Sequence, residues 1–183
     1  MNHYTITITR EFGSLGRPIA KKMSELLGIQ YYDRDIVEKT ATKLNQPVSK
    51  ISDAEESVRP GFLNMKFPLG TGTTAIQDEI FATQSKIVNE LSEKESCIIV
   101  GRCSDYILQN KKNCLHIFIY APVEERLRNC VDTLHMEPET AKRMIKEVDK
   151  ARENYHKHYA KYSPSDFRYK HILIDSSLLG IEG

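Results

Sequence analysis

Residues 5–20 read TITITREFGSLGRPIA, and this stretch decides the fold of the chain. A run of β-branched residues ends at a loop that contains Gly13 and Gly16, and the pattern of an amphipathic helix follows at once. In such an arrangement the amide groups of the loop converge on an anion, and the helix N-terminus adds partial positive charge. The stretch therefore predicts a strand, an anion-binding loop and a helix, in that order.

The loop differs from the common phosphate-binding pattern G-x-x-x-x-G-K-[ST] at three positions. When the two are aligned on Gly16, Glu11 takes the place of the first glycine, Arg17 that of the lysine, and Pro18 that of the hydroxyl residue. Arginine carries the same charge as lysine, but proline has no hydroxyl to offer a Mg²⁺ ion. The loop is thus predicted to bind phosphate, while its part in catalysis stays open.

Composition and charge are those of an ordinary globular protein. The chain has 183 residues, 40% hydrophobic and 28% charged, and this length suits one domain. Its formal net charge is only +1, so neither nucleic acid nor an anionic membrane surface is indicated as a partner. The chain has no apolar run that could span a bilayer and no signal-peptide pattern near its beginning. We therefore expect a cytoplasmic protein without membrane contact.

Helix and strand patterns alternate along the chain. Short apolar runs predict parallel strands, and the longer stretches between them have apolar residues at helical spacing. The expected strands are 4–9, 29–32, 97–100, 115–120 and 171–174, and the expected helices are 16–27, 34–44, 74–94, 104–110, 123–134 and 138–161. This alternation predicts a three-layer α/β/α fold with a parallel sheet of about five strands, in a single domain over residues 1–183.

Residues 45–74 differ from the rest of the chain. Prolines and glycines interrupt every long periodicity there, and the charged residues leave no clear apolar face. We interpret this stretch as a mobile lobe or lid that contains short helices. No internal repeat or low-complexity segment is evident elsewhere.

Basic residues follow several of the predicted strands, where an open parallel sheet binds its ligands. The residues beyond the first three strands include Arg17, Arg34 and Arg102, and the turns around Gly13 and Gly101. Two glycine-containing turns and three arginines at one edge favour a site for more than one phosphate group. The alternative is that each arginine is solvated or pairs with a nearby aspartate, namely Asp33, Asp35 or Asp105.

The long helix pattern near residues 138–161 adds a second basic face. Several of its basic residues are spaced to project to one side: Arg143, Lys146, Lys150 and Arg152. Asp149 lies three residues before the last of them and can pair with it. If this helix crosses the ligand edge of the sheet, its arginines can neutralise charge on a transferring phosphoryl group. The alternative is an ordinary solvated helix face.

Four segments carry a family resemblance. They are residues 9–16 (TREFGSLG), 31–34 (YYDR), 99–103 (IVGRC) and 149–155 (DKARENY). In this order they resemble the cytidylate kinase-like family, a branch of the P-loop nucleoside monophosphate kinases, and the resemblance covers nearly the whole chain. It implies a P-loop kinase fold with a small helical acceptor lobe at residues 45–74 and a helical lid at residues 136–161.

The resemblance implies roles for the matching positions. The loop residues that would cradle the phosphates of ATP are Gly13, Ser14, Leu15, Gly16 and Arg17. Asp33 and Arg34 would face the acceptor nucleotide, and Arg102 would hold its phosphate. The residues that would carry catalysis are Arg17, Arg102, Arg143, Asp149 and Arg152, the last three on a helix that closes over the transferring group.

Some positions depart from the family pattern. Cytidylate kinases have lysine where this chain has Arg17, a hydroxyl residue where it has Pro18, and aspartate where it has Cys103. The family's lid pattern is R-D-x-x-D-x-x-R, and only its second half is present here, as Asp149 and Arg152. The sequence does not tell which residues would hold a metal ion. The chain ends soon after the last strand, where relatives continue into another helix, and the sequence does not tell whether its tail is truncated or disordered.

The resemblance implies ATP-dependent phosphoryl transfer to a nucleoside monophosphate, above all CMP or dCMP, with Mg²⁺ accompanying the ATP. Two alternatives stay open. The altered loop at Glu11 and Pro18 also fits a non-catalytic nucleotide- or anion-binding regulatory module. The same fold also serves kinases of non-nucleotide metabolites. The expected partners are small-molecule nucleotides, and the sequence gives no indication of the oligomeric state.

Overall fold

One parallel sheet forms the centre of the protein. The computed structural model describes residues 3–49, 51 and 73–183. Within these ranges the strands are β1 (Thr5–Arg10), β2 (Gln30–Tyr32), β3 (Cys97–Val100), β4 (Cys114–Tyr120) and β5 (Ile172–Asp175). They lie in the order β2-β3-β1-β4-β5, and every neighbouring pair is parallel. The predicted parallel sheet of five strands is therefore confirmed.

Helices connect the strands, close to the predicted positions. They are α1 (Gly16–Leu27), α2 (Arg34–Leu44), α3 (Thr73–Lys94), α4 (Ser104–Ile107), α5 (Val123–Asp132), α6 (Pro138–Ala160) and α7 (Ser176–Leu179), with a 3-10 helix at Phe167–Tyr169. The helix α1 ends as expected at Gly28, whose φ of 62° is in the left-handed region that favours glycine. The sequence did not predict α7.

Two helices end earlier than predicted because the chain turns back on itself. The helix expected to reach residue 110 ends at Ile107, and the amide of Lys111 then bonds to the carbonyl of Leu108 at 2.9 Å. The helix expected to reach residue 134 ends at Asp132, and the amide of Met136 bonds back to the carbonyl of Cys130 at 3.0 Å.

The two faces of the sheet are covered by different helices. Side chains of a strand alternate between its faces. In β3, Ile98 and Val100 lie in a core cluster with Ile19 of α1, whereas Cys97 and Ile99 pack against α2 and α3. All residues of β1 and β3 are buried, as expected for strands covered on both faces. The fold is therefore the three-layer α/β/α arrangement that the sequence predicted.

The remaining predictions about organisation concern the acceptor lobe and the lid. Most of the acceptor lobe predicted at residues 45–74 lies outside the described residues. The helical lid predicted at residues 136–161 corresponds in extent to α6, which runs from Pro138 to Ala160. None of the helices in the described ranges combines the length and apolar character needed to cross a membrane.

Candidate functional site

The loop between β1 and α1 presents a row of amide groups for which the described residues offer no acceptor. Gly13 has a φ of 79° and Leu15 a φ of 59°, so the backbone enters the left-handed region twice in three residues. In the part of the chain that the structure describes, no acceptor is found for the amides of residues 13–17. These N–H groups stand at the N-terminus of α1, where the helix dipole also favours negative charge. The loop has the geometry of an anion cradle.

Side chains from α5 and α6 hold this loop in place. The amide of Phe12 donates to Oδ1 of Asp149 at 2.7 Å, and Nη1 of Arg126 donates to the carbonyl of Phe12 at 3.3 Å. Arg126 also forms an ion pair with Asp149. From the next turn of α5, Nδ2 of Asn129 donates to the carbonyl of Gly13 at 3.0 Å. The loop therefore lies against two helices that follow it by more than a hundred residues.

Neither Ser14 nor Glu11 projects toward the row of amides. The hydroxyl of Ser14 donates to the carbonyls of Glu11 and Ile119, at 3.0 and 3.1 Å, and Ser14 is fully buried. The carboxylate of Glu11 accepts from the amide of Ala121 at 3.2 Å and lies 3.5 Å from Nε of Arg126. Burial raises the pKa of Glu11, but its charge is directed at α5 rather than at the cradle.

A second strained turn lies beside the first. Gly101, Arg102 and Cys103, which follow β3, have φ values of 74°, 59° and 52°. For residues other than glycine this conformation costs about 1–2 kcal/mol each. Strain of this kind persists where surrounding contacts impose it, and it is concentrated at ligand sites. Because β3 neighbours β1 in the sheet, this turn and the loop between β1 and α1 lie at the same edge of the sheet.

Asp33 joins the two turns through arginine pairs. Its carboxylate lies 2.5 Å from Nε of Arg17 and 3.4 Å from Nη2 of Arg102. Burial alone would raise the pKa of Asp33, but the guanidinium groups of Arg10, Arg17 and Arg102 outweigh it and hold this pKa below its usual value. Asp33 is therefore an anion within a group of cations. This is the ion pairing that the sequence left open as an alternative.

Arg10 is the most buried arginine of this group. It is the last residue of β1, and its side chain lies between the two turns. A Cβ atom on Gly16 would lie 2.7 Å from Cβ of Arg10, and one on Gly101 would collide with its Nη1. Both glycines are therefore required by the presence of this side chain. Burial, together with the charge of Arg152, lowers the pKa of Arg10 to about 9.

Two open clefts meet at this edge of the sheet. The loop cleft is lined by residues that include Arg10, Phe12, Gly13, Gly16, Arg17 and Arg152. The inner cleft is lined by residues that include Arg10, Gly101, Arg102, Cys103, Arg152 and Tyr155. Arg10 and Arg152 line both clefts, so these two side chains mark the junction between them.

The structure brings some of the predicted site residues together and leaves others apart. Arg17, Asp33 and Arg102 form one group, and the loop residues lie next to it. Arg34 is exposed and pairs with Glu38 of its own helix at 3.4 Å. The predicted roles of these residues remain predictions. The side chain of Arg34 pairs with Glu38, and it is the neighbouring residue Asp33 that contacts Arg17 and Arg102.

The three predicted residues of α6 point in different directions. Arg143 is exposed and lies 4.0 Å from Glu147, whereas Arg152 lines both clefts. Nine residues of helix correspond to a rotation of about 900°, so Arg143 and Arg152 lie on opposite sides of α6. Asp149, whose spacing would allow it to pair with Arg152, contacts Arg126 and the loop amide of Phe12.

Sequence reasoning missed three residues that shape the site. Arg10 gave a signal, because a charged residue at the end of a fully buried strand is unusual. Arg126 and Asn129 gave a weaker one, since they are three residues apart on α5 and so share a face. Nothing in the sequence told which element that face contacts.

A buried polar network supports the inner cleft from behind. Asp105 of α4 accepts from Nε2 of His156 at 3.1 Å and from the hydroxyl of Tyr162 at 3.2 Å, and it pairs with Lys170. Burial would raise the pKa of Asp105, but His156 and Lys170 outweigh it and hold that pKa well below its usual value. The other ring nitrogen of His156 faces the carbonyl of Tyr162 at 3.0 Å. Both ring nitrogens are thus engaged, which makes this a structural network.

The acidic residues at the clefts do not fit a magnesium ion held by the protein. Asp33 pairs with arginines, and Glu11 and Asp149 both face Arg126. Carboxylates that are neutralised in this way are poor ligands for a hard cation. Within the described ranges there is also no group of three or more side chains of the metal-binding types arranged around one point.

Comparison with known proteins agrees with this architecture. A model of the cytidylate kinase-like family matches residues 5–178. No curated protein sequence shows a significant match to the chain. Similar solved structures include an uncharacterized protein from Eubacterium ventriosum ATCC 27560, with 26% sequence identity and a TM-score of 0.68. That similarity covers 94% of this chain and 88% of the other.

Two shikimate kinases share the fold at lower identity. The enzyme from Acinetobacter baumannii, solved in complex with shikimate, has 15% identity and a TM-score of 0.51, covering 98% of this chain and 87% of its own. The enzyme from Bacteroides thetaiotaomicron has 10% identity and a TM-score of 0.54, covering 94% of this chain and 85% of its own. At these identities the similarity concerns the fold alone.

Proposed function

The chain belongs to the cytidylate kinase-like family, and we propose that it transfers the γ-phosphoryl group of ATP to a nucleoside monophosphate, with CMP and dCMP as the first candidates. Family membership supports phosphoryl transfer as the general class of reaction. One observation carries the proposal for this chain. The amides of residues 13–17, without acceptors in the described ranges, lie at the same sheet edge as a group of guanidinium groups.

The loop cleft suits the donor. Its free amides and the N-terminus of α1 can bind the oxygen atoms of a polyphosphate, and the half-exposed side chain of Arg17 can reach the outer phosphates. Arg17 stands where P-loop kinases have lysine, and it offers a planar fork of donors in place of a single point charge. We therefore assign the ATP phosphates to this cleft, with Mg²⁺ arriving on the phosphates and their water molecules rather than on a protein carboxylate.

The inner cleft suits the acceptor. Arg102 and Arg152 both line it, and either can hold the phosphate of a nucleoside monophosphate. The ring of Tyr155 lies on the same wall and offers an aromatic surface. Because the two clefts meet at Arg10 and Arg152, a donor in one and an acceptor in the other would place their phosphates next to each other.

The chemistry requires positioning and positive charge rather than a covalent catalyst. A phosphate oxygen of the acceptor attacks the γ-phosphorus, a new O–P bond forms, and the bond from the γ-phosphorus to the β-bridging oxygen breaks. The attacking oxygen is already ionised near pH 7, so no general base is needed. Guanidinium groups on both sides of the transferring group stabilise the charge on its oxygen atoms in the transition state.

A non-catalytic binding module is the second candidate, and the position of Asp33 favours it. The Asp33 carboxylate pairs with both Arg17 and Arg102, the two arginines that the kinase proposal assigns to donor and acceptor. A protein that senses an anion by displacing this carboxylate needs no catalysis. Pro18, which lacks the hydroxyl that contacts Mg²⁺ in P-loop enzymes, points the same way.

A turnover assay separates the candidates. Purified protein is incubated with ATP, Mg²⁺ and each nucleoside monophosphate in turn, and ADP and the diphosphate product are quantified. The acceptor panel includes shikimate, because shikimate kinases share the fold. The Arg17→Ala variant, purified in parallel, controls for contaminating kinases. Turnover of CMP or dCMP that is lost in the variant supports the proposal. ATP binding by calorimetry without any turnover favours the binding module, and turnover of shikimate alone favours a metabolite kinase.

A further inference from the structure

Arg10 lies beside the phosphate loop, at the end of β1. It ends β1, its side chain passes between Gly16 and Gly101, and it forms part of the wall of both clefts. Its relative exposure is only 9%. The guanidinium group is thus embedded, beside Arg152, where the loop cleft and the inner cleft meet.

One nitrogen atom of this buried guanidinium group has no hydrogen-bond partner among the described residues. Its Nη2 atom makes no hydrogen bond in the described part of the chain. A buried arginine that serves only the fold is normally paired with a carboxylate or with carbonyl groups, because an unsatisfied buried charge is costly. Here three further arginines, namely Arg17, Arg102 and Arg152, lie close enough to oppose its charge, and among the described residues Asp33 is the carboxylate that supports it.

We propose that the guanidinium group of Arg10, together with that of Arg152, binds a phosphate group at the junction of the two clefts. The ligand class is a tetrahedral oxyanion, met as inorganic phosphate, pyrophosphate or the phosphates of a nucleotide. A phosphate at this point satisfies the open donor of Arg10 and neutralises the surrounding cations.

If the chain is the kinase proposed above, the group held at this point is the phosphoryl group in transfer. This part of the inference rests on the proposed function. Arg10 would then contact the group from the sheet side while the loop amides and Arg17 contact it from the opposite side. The existence of the phosphate site does not depend on catalysis.

The electrostatics of the ligand-free protein make the site testable without an assay of activity. Even with a pKa of about 9, Arg10 is protonated near neutral pH, so the cations repel each other until an anion binds. Removing one of them should leave the ligand-free protein as stable as the wild type or more stable. A merely structural arginine would behave in the opposite way, because its loss would lower the melting temperature.

Arg10→Gln is the decisive variant, and Arg128→Gln is its control. Arg128 is 63% exposed and pairs with Glu125 of its own helix, so its loss removes one positive charge away from the clefts. Binding of inorganic phosphate and pyrophosphate is measured by calorimetry, and melting temperature with and without phosphate by thermal shift. We expect Arg10→Gln to weaken phosphate binding at least tenfold and to abolish most of the phosphate-induced rise in melting temperature, while the control matches the wild type.

A second variant keeps the test decisive if Arg10→Gln does not fold. Arg10→Lys retains the charge but loses the planar fork of donors, and it should bind phosphate several times more weakly than the wild type. Unchanged phosphate affinity in a folded Arg10 variant overturns the proposed site, whatever the catalytic result. Loss of phosphate affinity in a protein that shows no turnover with any acceptor leaves the site standing and removes the proposed function instead.

Discussion

The carboxylate of Asp33 lies 2.5 Å from Nε of Arg17, so the arginine that replaces the loop lysine already has an anionic partner. The same carboxylate reaches Arg102 of the neighbouring turn. A phosphate that enters either cleft must share these arginines with Asp33 or displace it. Under the proposed function, the affinity for phosphate is therefore set by a competition between the ligand and Asp33.

Replacing Asp33 by asparagine should lower the stability of the ligand-free protein and raise its affinity for phosphate or ATP. The variant keeps the shape of the side chain but leaves Arg10, Arg17 and Arg102 without their shared counter-charge. We expect a loss of about 2–4 kcal/mol in the free energy of unfolding in phosphate-free buffer, since a buried charge pair loses one partner. Phosphate or ATP should restore part of this loss and should bind more tightly than to the wild type.

Urea unfolding in buffers with and without phosphate measures both effects. Asp35→Asn is the matched control, because Asp35 is the second residue beyond Asp33 but is exposed on α2. Equal anion affinity in Asp33→Asn and the wild type would show that the carboxylate does not compete with the ligand.

Asp149 should hold the loop between β1 and α1 in place. In Asp149→Ala the Phe12 amide loses its acceptor and Arg126 loses its ion-pair partner. We expect the free energy of unfolding to fall by about 2–3 kcal/mol and the loop to become more mobile. Hydrogen exchange at the Phe12 amide should accelerate markedly, and the KM for ATP should rise about tenfold if the loop binds the donor.

The neighbouring exposed residue Lys150 provides the control for this experiment, since Lys150→Ala changes the same helix without touching the loop. Slow exchange at Phe12 in the Asp149 variant would contradict the role assigned to that hydrogen bond.

Arg17 should contribute charge to the donor site and little to stability. Its side chain is 54% exposed, so Arg17→Ala should change the free energy of unfolding by less than about 1 kcal/mol. Under the kinase proposal its kcat/KM should fall about a hundredfold or more, by analogy with other groups that stabilise a transferring phosphoryl group. Arg17→Lys restores the common motif and should retain activity to within about tenfold of the wild type. Equal turnover in the alanine variant and the wild type would remove Arg17 from the site.

His116 should make the protein less stable in mild acid. Burial lowers its pKa to about 4, and the hydroxyl of Thr7 lies 2.8 Å from Nδ1, consistent with a neutral ring. The unfolded chain gains a proton near pH 6.5, but the folded protein gains it only near pH 4. The stabilising contribution is therefore complete above about pH 6.5 and is lost as the pH falls from there to about 4, by about 3 kcal/mol in all.

Comparison with His116→Gln isolates this effect, because other titrating groups contribute equally to both proteins. Urea unfolding at several values between pH 7 and pH 4 should give a flatter dependence for the variant. Parallel curves for the two proteins would mean that His116 titrates normally in the folded state.

The sheet could be predicted because its central strands are apolar along their whole length. The run Cys97–Val100 is covered on both faces, and a parallel sheet between two helix layers buries its strands in this way. The meeting of Arg17, Asp33 and Arg102 could also be anticipated, since the carboxyl ends of neighbouring parallel strands share an edge. The catalytic and binding roles given to these residues are still predictions.

The contacts that hold the loop in place could not be predicted, since they depend on how α5 and α6 are rotated about their axes. The pairing of Asp149 with Arg126 instead of Arg152 is set by the packing of α5 against α6, which no local pattern encodes. The separation of Arg143 from Arg152 could have been foreseen from helical periodicity alone. Arg10 was overlooked because charged residues at strand ends are usually solvated, whereas here two glycine turns enclose the side chain.

The carboxylate of Asp105 is neutralised by partners that follow it by fifty and more residues, His156 and Lys170. During synthesis, α4 leaves the ribosome well before either partner exists. Until Lys170 has emerged, docking of α4 would bury a carboxylate without its full counter-charge, so late-arriving sequence controls when this region can close. We therefore expect this region to close only after Lys170 has emerged, and ribosome-bound chains arrested before Lys170 should remain sensitive to protease around α4.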